Sequence, residues 1–446
     1  MSPASLPAAA PPLEDDDLLS EILLRLPPDP SSLPRARAVS RRWRSLAADP
    51  RFCARFRAHH RRNPPLLGCF AVEHFHSISH QPILREARFC PVLEAPNRVP
   101  EGRITFPIAC DYLMILGCRH GLVLTFHRWR EQPIVWDPLT GDQHRLDTPP
   151  GFDRKYPISG AVLRAAAGDD FQVVLIGRCV TQQARAIASV YSSKTGAWGK
   201  LVSTPLLVDD RYGDSVLSPG FFMPAVMVGN SLYWFFVGGR NPAVIVEFDL
   251  DSWSLALIPT PVEKIYSAWR PTHIWVIPAQ GGGLGFLVLS EFSAQFWKRK
   301  KDCDGAASWV LGRTIALDKL LPINLGKEIE HLWIIGLAED NNTVLLKSSV
   351  GVFTLHLESL ESKKIFESNY QSPCSFPFEG VYTAGAGHLS LLPAAAAVGW
   401  ALSLPWGSAR SLLVRRLWPS RLLLLQSLFH LITVVTITSL SCRLQH

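Results

Sequence analysis

The sequence predicts a small all-α module of three short helices followed by a large all-β repeat domain. Apolar residues recur at helical spacing near the N-terminus. Between residues 66 and 380, short apolar runs alternate with Gly, Pro, Asn and Asp turns, and a spacing of 55 to 56 residues repeats. At 446 residues the chain is too long for one ordinary core, so two domains are expected.

Composition fits a packed chain in a reducing compartment. Hydrophobic residues make up 47% and charged residues 19%, which disfavours disorder over most of the length. The nine cysteines are scattered without C-x-x-C spacing, so free thiols and a location in the cytoplasm, the nucleus or both are expected. Residues 1–12 are Ala/Pro-rich, are predicted to be disordered and lack the order of a secretion signal.

The net charge of +7 does not predict a nucleic-acid partner. Residues 380–446 hold five Arg and no Asp, Glu or Lys, and subtracting these five charges leaves +2 for residues 1–379. A body this close to neutral has no general attraction for phosphate backbones. We interpret the basic stretch from Arg35 to Arg62 as solvated helix faces beside the acidic run Glu14–Asp17; a nucleic-acid patch is the alternative.

Residues 13–62 carry the helical module. The acidic run offers an N-cap to the first helix, and Pro27-Pro28 ends it. A second helix is predicted to start at Ser31 or Ser32 and to reach Leu46, and Asp49-Pro50 predicts the start of a third. The first helix has one apolar stripe, which consists of Leu18, Leu19, Ile22, Leu23 and Leu26.

The order of motifs in this module resembles an F-box. Leu13–Pro27 reads L-x-x-D-x-L-L-x-E-I-L-x-R-L-P, Ser32–Leu46 reads S-L-x-R-x-R-x-V-S-x-x-W-R-S-L, and Asp49–Phe52 reads D-P-x-F. Glu14 departs from the resemblance, since many F-boxes have Pro after the first Leu. The resemblance implies binding to the Skp-type adaptor of an SCF (Skp–cullin–F-box) ubiquitin ligase, and through it to cullin and RING subunits.

Nine residues match the positions that this resemblance assigns to the adaptor contact. The first group would face the adaptor: Leu18, Leu19, Ile22, Leu23, Leu26 and Pro27. The second group, Leu33, Val39 and Trp43, would add to that face or hold the module together. The alternative is that the stripe closes only on the module's own core.

The repeat predicts a β-propeller over residues 66–380, with five or six blades. Thr-Pro recurs at Thr148, Thr204 and Thr260, in two steps of 56. Trp198, Trp253 and Trp309 recur in steps of 55 and 56, and Gln143 and Lys364 continue the series on either side. One such unit cannot bury both faces of its sheet, but units around a common axis can. An irregular pair of β-sandwiches with chance spacing is the alternative.

An F-box followed by such repeats resembles plant F-box proteins with an associated β-propeller-type, kelch-like domain. The double-Gly and Trp-Asp signatures of well-marked repeats are absent or degenerate here. The resemblance implies a substrate-recognition subunit whose β domain binds an unknown target protein for ubiquitination. A propeller enzyme or a scaffold without a ligase is the alternative. Two candidate contact loops for a partner are Asp209–Asp214 and Lys298–Asp304.

Motifs give no basis for catalysis or for a cofactor. The chain has no G-x-S-x-G, no H-E-x-x-H and no phosphate loop ending in Gly-Lys-Ser/Thr. The glycine-rich run Gly281–Gly285 precedes a strand rather than a helix, so it lacks a phosphate-binding helix N-terminus and is predicted to be a flexible loop of a blade. The best metal candidates, His74, His76 and His80, have no partner cluster, so no metal is expected. We therefore expect a non-catalytic subunit.

Residues 393–446 form an atypical hydrophobic tail. Leu422–Leu440 spans nineteen mostly apolar residues, which is long enough to cross a bilayer. A membrane anchor is one interpretation, and translated sequence without a folding history, such as an alternative exon, is the other. Membrane association is expected only under the first.

Overall fold

The computed structural model describes the helical module and most of the repeat region. The described residues are 15–76, 82–100, 102–105, 113–152, 157–165, 168–179, 184–206, 217–220, 223–238, 241–260, 273–290, 292–301, 306–322, 332–367 and 374–383. The predicted disordered segment 1–12 and the tail 393–446 lie outside them. Within these ranges, no helix combines the length and hydropathy needed to cross a membrane.

The N-terminal module contains four helices where three were predicted. The sequence suggested one helix from Ser32 to Leu46, but the chain is extended at Ser40, with φ −156° and ψ 167°. The Ser40 hydroxyl accepts a hydrogen bond from the Trp43 N–H and caps a new helix there. The four helices are α1 (Asp16–Leu24), α2 (Ser32–Val39), α3 (Arg41–Ala48) and α4 (Pro50–His60).

Three predicted helix starts are confirmed: α2 begins at Ser32 without a side-chain cap, and α1 and α4 begin at capping aspartates. The side chain of Asp15 accepts hydrogen bonds from the N–H groups of Asp17 and Leu18 at the start of α1. At the start of α4, the side chain of Asp49 accepts hydrogen bonds from the N–H groups of Arg51 and Phe52, and Pro50 occupies the first turn. Both caps satisfy N–H groups that have no partner within the helix.

The rest of the described chain forms six antiparallel sheets, so the predicted propeller is confirmed with six blades. Blade 1 consists of β1 (Leu66–His76), β2 (Pro82–Pro91) and β25 (Cys374–Glu379). Blade 2 consists of β3 (Leu113–Arg119), β4 (Leu122–His127), β5 (Gln132–Trp136) and β6 (Gln143–Arg145). Blade 3 consists of β7 (Ser159–Arg164), β8 (Phe171–Cys179), β9 (Arg185–Ser192), β10 (Ala197–Trp198) and β11 (Val202–Pro205).

The other three blades follow in chain order. Blade 4 consists of β12 (Ser218–Pro219), β13 (Val226–Val228), β14 (Ser231–Gly238), β15 (Asn241–Asp249) and β16 (Ser254–Pro259). Blade 5 consists of β17 (Ile274–Pro278), β18 (Leu284–Ser290), β19 (Ser293–Lys301) and β20 (Ala307–Ala316). Blade 6 consists of β21 (Trp333–Ala338), β22 (Thr343–Ser348), β23 (Gly351–His356) and β24 (Ser362–Glu367).

The last described strand closes the ring. β25 pairs antiparallel with β1, which places Phe376 opposite Phe70, and it contacts the inner strands β21 and β3 of the neighbouring blades. Blade 1 therefore takes strands from both ends of the repeat region. Elsewhere the apolar side chains form clusters between adjacent blades, so each sheet buries both faces as the repeat predicted.

The repeated tryptophans join neighbouring blades. Trp198 Nε1 donates to the Asp147 carbonyl at 2.6 Å, and Trp309 Nε1 donates to the Pro259 carbonyl at 2.7 Å. Each acceptor immediately precedes a Thr-Pro dipeptide of the preceding blade. Trp198 and Trp309 thus make the same contact between an outer strand and the blade before it, whereas Trp253, the middle member of the series, lies in the turn before β16 and packs against Gly199 of blade 3.

An ion pair closes the propeller axis at one end. Arg119, at the end of β3, pairs with Glu339, directly after β21, and both side chains are largely buried. Arg119 also donates to the Ala225 carbonyl at 2.9 Å, and Glu339 accepts from the Met227 N–H at 2.9 Å. Blades 2, 4 and 6 are therefore joined across the axis.

Candidate functional site

The helical module exposes part of its predicted apolar stripe. Leu18 and Ile22 lie one turn apart on α1 and are 50% and 41% exposed, and Val39 at the end of α2 is 63% exposed. Pro27 is also exposed. These four side chains are accessible to a partner, and their contact with an adaptor stays a prediction.

Two residues predicted to face the adaptor lie in the module's own core, together with Leu33, for which holding the module together was one of two predicted roles. Leu19 and Leu23 are 0% exposed and Leu33 is 1% exposed, and they share an apolar cluster with Phe52 and Phe56. In this conformation their side chains do not reach the surface, because α1 turns this side toward α4. Leu26 and Trp43 are half-buried and pack against the same cluster.

The acidic and basic side chains of the module pair with each other. Arg42 Nε lies 2.8 Å from Asp16 Oδ1, and Arg55 Nη2 lies 2.6 Å from Glu21 Oε1. Both pairs are substantially exposed, so each contributes little to stability, and their role is to orient α3 and α4 against α1.

The module is attached to one face of the propeller. Arg61, just after α4, donates from Nη1 to the carbonyls of Ala165 and Gly168, at 2.9 and 3.1 Å. These residues lie in the turn after β7, the first strand of blade 3. We call this end of the propeller, formed by the turns after the first and third strands of the blades, the module face.

A second attachment comes from the residues that follow β25. Val381 is buried in the module's apolar cluster, and Arg57 Nη1 donates to Thr383 Oγ1 at 3.0 Å. Between module and propeller remains a cavity of about 40 Å³, lined by Arg57, Arg61, Arg164 and Asp137 among others. Burial and then the Arg164 charge lower the pKa of Arg61.

His120 lines the same junction as a neutral imidazole. Burial, followed by the positive charges of Arg119, Arg61 and Arg164, lowers the pKa of His120 to about 4. Its Nδ1 accepts a hydrogen bond from the Arg164 N–H at 3.2 Å. His120 therefore stays neutral and accepts this hydrogen bond, because a protonated imidazole would be repelled by the three arginines.

A carboxylate cluster lies where blade 6 meets the linker to the module. Glu379 accepts hydrogen bonds from the N–H groups of Asp340 and Asn341, at 3.2 and 2.8 Å. Asn341 Nδ2 donates in turn to the Pro64 carbonyl at 3.0 Å. Burial and the nearby Asp340 raise the pKa of Glu379 to about 7, and burial and Glu339 raise the pKa of Asp340 to about 6.

The two candidate contact loops have different outcomes. Asp209–Asp214 lies outside the described residues. The other segment was wrongly taken as a loop from Lys298 onward, because Lys298–Lys301 continues β19 and pairs with β20. Beside these residues is a cleft of about 720 Å³ between blades 5 and 6, which sequence reasoning missed.

No metal centre is found in the part of the chain that the structure describes. His80 and the side chains of His74 and His76 lie outside that part. Among the described residues, no group of three or more His, Cys, Asp or Glu side chains is arranged to hold a metal ion.

The fold and the module together define an F-box followed by a β-propeller. Residues 15–55 match the F-box domain, and residues 114–378 match the β-propeller described as F-box protein AT5G49610-like. The second match covers more than half of the chain, so this chain belongs to the family of F-box proteins with an AT5G49610-like β-propeller. The more specific resemblance to plant and kelch-like proteins stays a prediction.

Solved structures share low sequence identity with the chain. The WD40 domain of SCAP from fission yeast is 12% identical, with a TM-score of 0.30 over 55% of this chain and 50% of that chain. Apo AztD from Citrobacter koseri is 10% identical, with a TM-score of 0.33 over 70% and 87%. A puromycin-hydrolyzing peptidase of Mycobacterium tuberculosis is 10% identical, with a TM-score of 0.31 over 56% and 37%.

The chain thus spans half the length of the fission yeast structure and 37% of the mycobacterial one. No curated protein matches the chain.

Proposed function

We propose that this chain is the substrate-recognition subunit of an SCF-type ubiquitin ligase. The F-box binds a Skp-type adaptor, which links it to cullin and RING subunits, and the propeller binds the target protein. The chain is a receptor, and the ubiquitin transfer is carried out by the other subunits. Its place of action is the cytoplasm, the nucleus or both.

The observation that carries this proposal is the division of the α1 stripe. Leu19 and Leu23 complete the module's core, whereas Leu18 and Ile22 on the same helix remain about half exposed. Large apolar side chains in contact with water favour burial against a partner. The outer side of α1 therefore supports an interface, while its inner side supports the fold.

The attachment of the module supports the same function. Arg61 bonds to the turn after β7, and Val381 enters the module's core from β25. A receptor needs a fixed geometry between adaptor and target, because the target must be held within reach of the ubiquitin-carrying subunits. A module held by blade 3 and by the residues after β25 provides such a geometry.

Co-purification of the full chain with a Skp-type adaptor tests the proposal. Ile22→Asp and Leu18→Asp place a carboxylate on the exposed side of α1 and should abolish recovery of the adaptor while the melting temperature is kept. Leu201→Asp is the matched control, since Leu201 is 45% exposed but lies in blade 3. Equal adaptor recovery with all three variants would refute the proposal. Leu23→Asp is unsuitable, because Leu23 is buried and its replacement unfolds the module.

A further inference from the structure

The cleft between blades 5 and 6 has the size of a ligand site. Its volume of about 720 Å³ falls within the range of roughly 300–1,000 Å³ typical of ligand pockets. Its lining includes the turn after β17, the turn after β21 and the start of the turn after β23. These are turns of the module face, so the cleft opens on the same end of the propeller as the F-box.

A glycine turn leaves the rim of the cleft open. Gly281, Gly282 and Gly283 all have positive φ, at 75°, 89° and 87°, a conformation that side chains disfavour. A Cβ at Gly282 or Gly283 would meet nothing within 4 Å. No side chain therefore rises from this part of the rim, and the positive φ values favour glycine at all three positions.

The wall of the cleft joins cations to an aromatic surface. The Arg313 guanidinium stacks on the Phe296 ring, 4.6 Å from its centroid, and donates to the Leu357 carbonyl. Lys298 Nζ donates to the Gln280 carbonyl at 3.1 Å. A guanidinium has five N–H donors and an ammonium has three, so both groups keep donors for an anion.

The acidic residues of the lining do not cancel these charges. Glu339 is already paired with Arg119 at the propeller axis, and Glu358 is exposed. Exposed Lys300 and Lys301 continue β19 from the wall toward the module face. Lys298 and Arg313 in the wall therefore favour an acidic ligand, and Lys300 and Lys301 lie on its approach.

We infer that this cleft is the target-recognition site and that it binds an acidic peptide segment of the target protein. A carboxylate of the peptide pairs with Lys298 and Arg313, while an apolar neighbour packs on Phe296. This inference rests on the proposed receptor function. It places the target on the module face, beside the F-box and the ligase.

Selection of short random peptides displayed on phage, panned against the full chain, tests the inference. Peptides that combine Asp or Glu with an apolar residue should be enriched. Their affinities, measured by fluorescence anisotropy, should fall about tenfold or more with Lys298→Glu, since a charge-assisted contact becomes repulsive.

Lys194→Glu is the matched control, because Lys194 is exposed in the turn after β9, on the module face but two blades away. This variant should bind the peptides unchanged. Absence of enrichment, enrichment of peptides without acidic residues, or equal affinity with Lys298→Glu would overturn the inference. So would a phosphoserine version of the peptides that binds more than tenfold tighter, since the ligand group would then be phosphoryl.

Adaptor recovery measured on the same proteins separates the two hypotheses. Adaptor recovery without peptide binding would overturn the cleft assignment alone. Peptide binding without adaptor recovery would overturn the receptor function and keep the cleft as a peptide site.

Discussion

Arg57 and Thr383 are 326 positions apart, yet Arg57 Nη1 donates a hydrogen bond to Thr383 Oγ1 at 3.0 Å. Thr383 follows β25, the strand that closes the propeller, and Arg57 lies on α4 of the F-box. Closure of the ring and completion of the F-box therefore use the same ten residues, 374–383.

Val381→Ala tests this shared use. Val381 is buried in the F-box core, so its truncation should destabilise the F-box by about 2 kcal/mol and reduce adaptor recovery. Denaturant unfolding measures the stability. Val39→Ala is the control, because Val39 is 63% exposed and its loss should leave unfolding unchanged. Equal stability of the two variants would mean that Val381 does not belong to the F-box core in solution.

Trp309→Phe tests the contact between blades. The variant keeps the ring but removes the hydrogen bond to the Pro259 carbonyl, so it should lower the free energy of unfolding by about 1 kcal/mol. Leu311→Ala, on the exposed part of the same strand, should have a smaller effect. If both variants unfold at the same denaturant concentration, the repeated tryptophan contact adds nothing to stability.

Arg119→Met tests the ion pair at the axis. The Glu339 carboxylate would keep its hydrogen bond from the Met227 N–H but lose the positive charge that it pairs with. The free energy of unfolding should therefore fall by about 3 kcal/mol. Arg119→Met combined with Glu339→Gln should recover much of this loss, because no buried charge is then unpaired. A double variant that is less stable than Arg119→Met would contradict this explanation.

The raised pKa values of two carboxyls, Glu379 and Asp340, should lower stability as the pH rises from about 5 to 7, whereas His120, whose pKa is lowered to about 4, contributes in the opposite direction. The pKa of Glu379 is raised to about 7 and that of Asp340 to about 6, so in this range the folded chain holds protons that the unfolded chain has released. Proton binding then favours the folded state at the lower pH. The groups nearest these carboxyls are Asn341, Glu339 and, through Glu339, Arg119.

Glu379→Gln removes the larger of the two ionisations. The melting temperature of this variant should rise relative to that of the unchanged chain as the pH increases from 5 to 7, and at pH 8 it should be the higher of the two. Thermal unfolding followed by circular dichroism measures both. Glu358→Gln is the control, since Glu358 is exposed. An unchanged slope for Glu379→Gln would show that this carboxyl does not titrate in the range.

Local signals in the sequence were enough to predict the blades and most helix starts. Asp15 and Asp49 cap helices because their side chains reach N–H groups two and three residues ahead, a geometry that the chain order fixes. The tryptophan period succeeded because Trp198 and Trp309 make the same contact in different blades. A contact that recurs between blades fixes the number of residues between its members, so it can be recognised in the sequence as a repeat.

Features that depend on distant parts of the chain were missed. One continuous helix was predicted across Ser40, because the apolar residues from Leu33 to Leu46 keep helical spacing on both sides of the break. The stripe on α1 gave no sign of which side faces inward, since that depends on Phe52 and Phe56 of α4 and on Val381. The cleft combines turns of two blades; its three consecutive glycines were the available signal, and they were interpreted as a flexible loop.

The sharing of blade 1 between β1 and β25 has a consequence for how the protein is made. A nascent chain that stops before residue 374 carries every helix of the F-box but lacks Val381, and its propeller has a gap beside β1. Under the proposed function, the adaptor-binding and target-binding surfaces would therefore be completed at the same late step of translation. An unfinished polypeptide would then compete poorly for the adaptor.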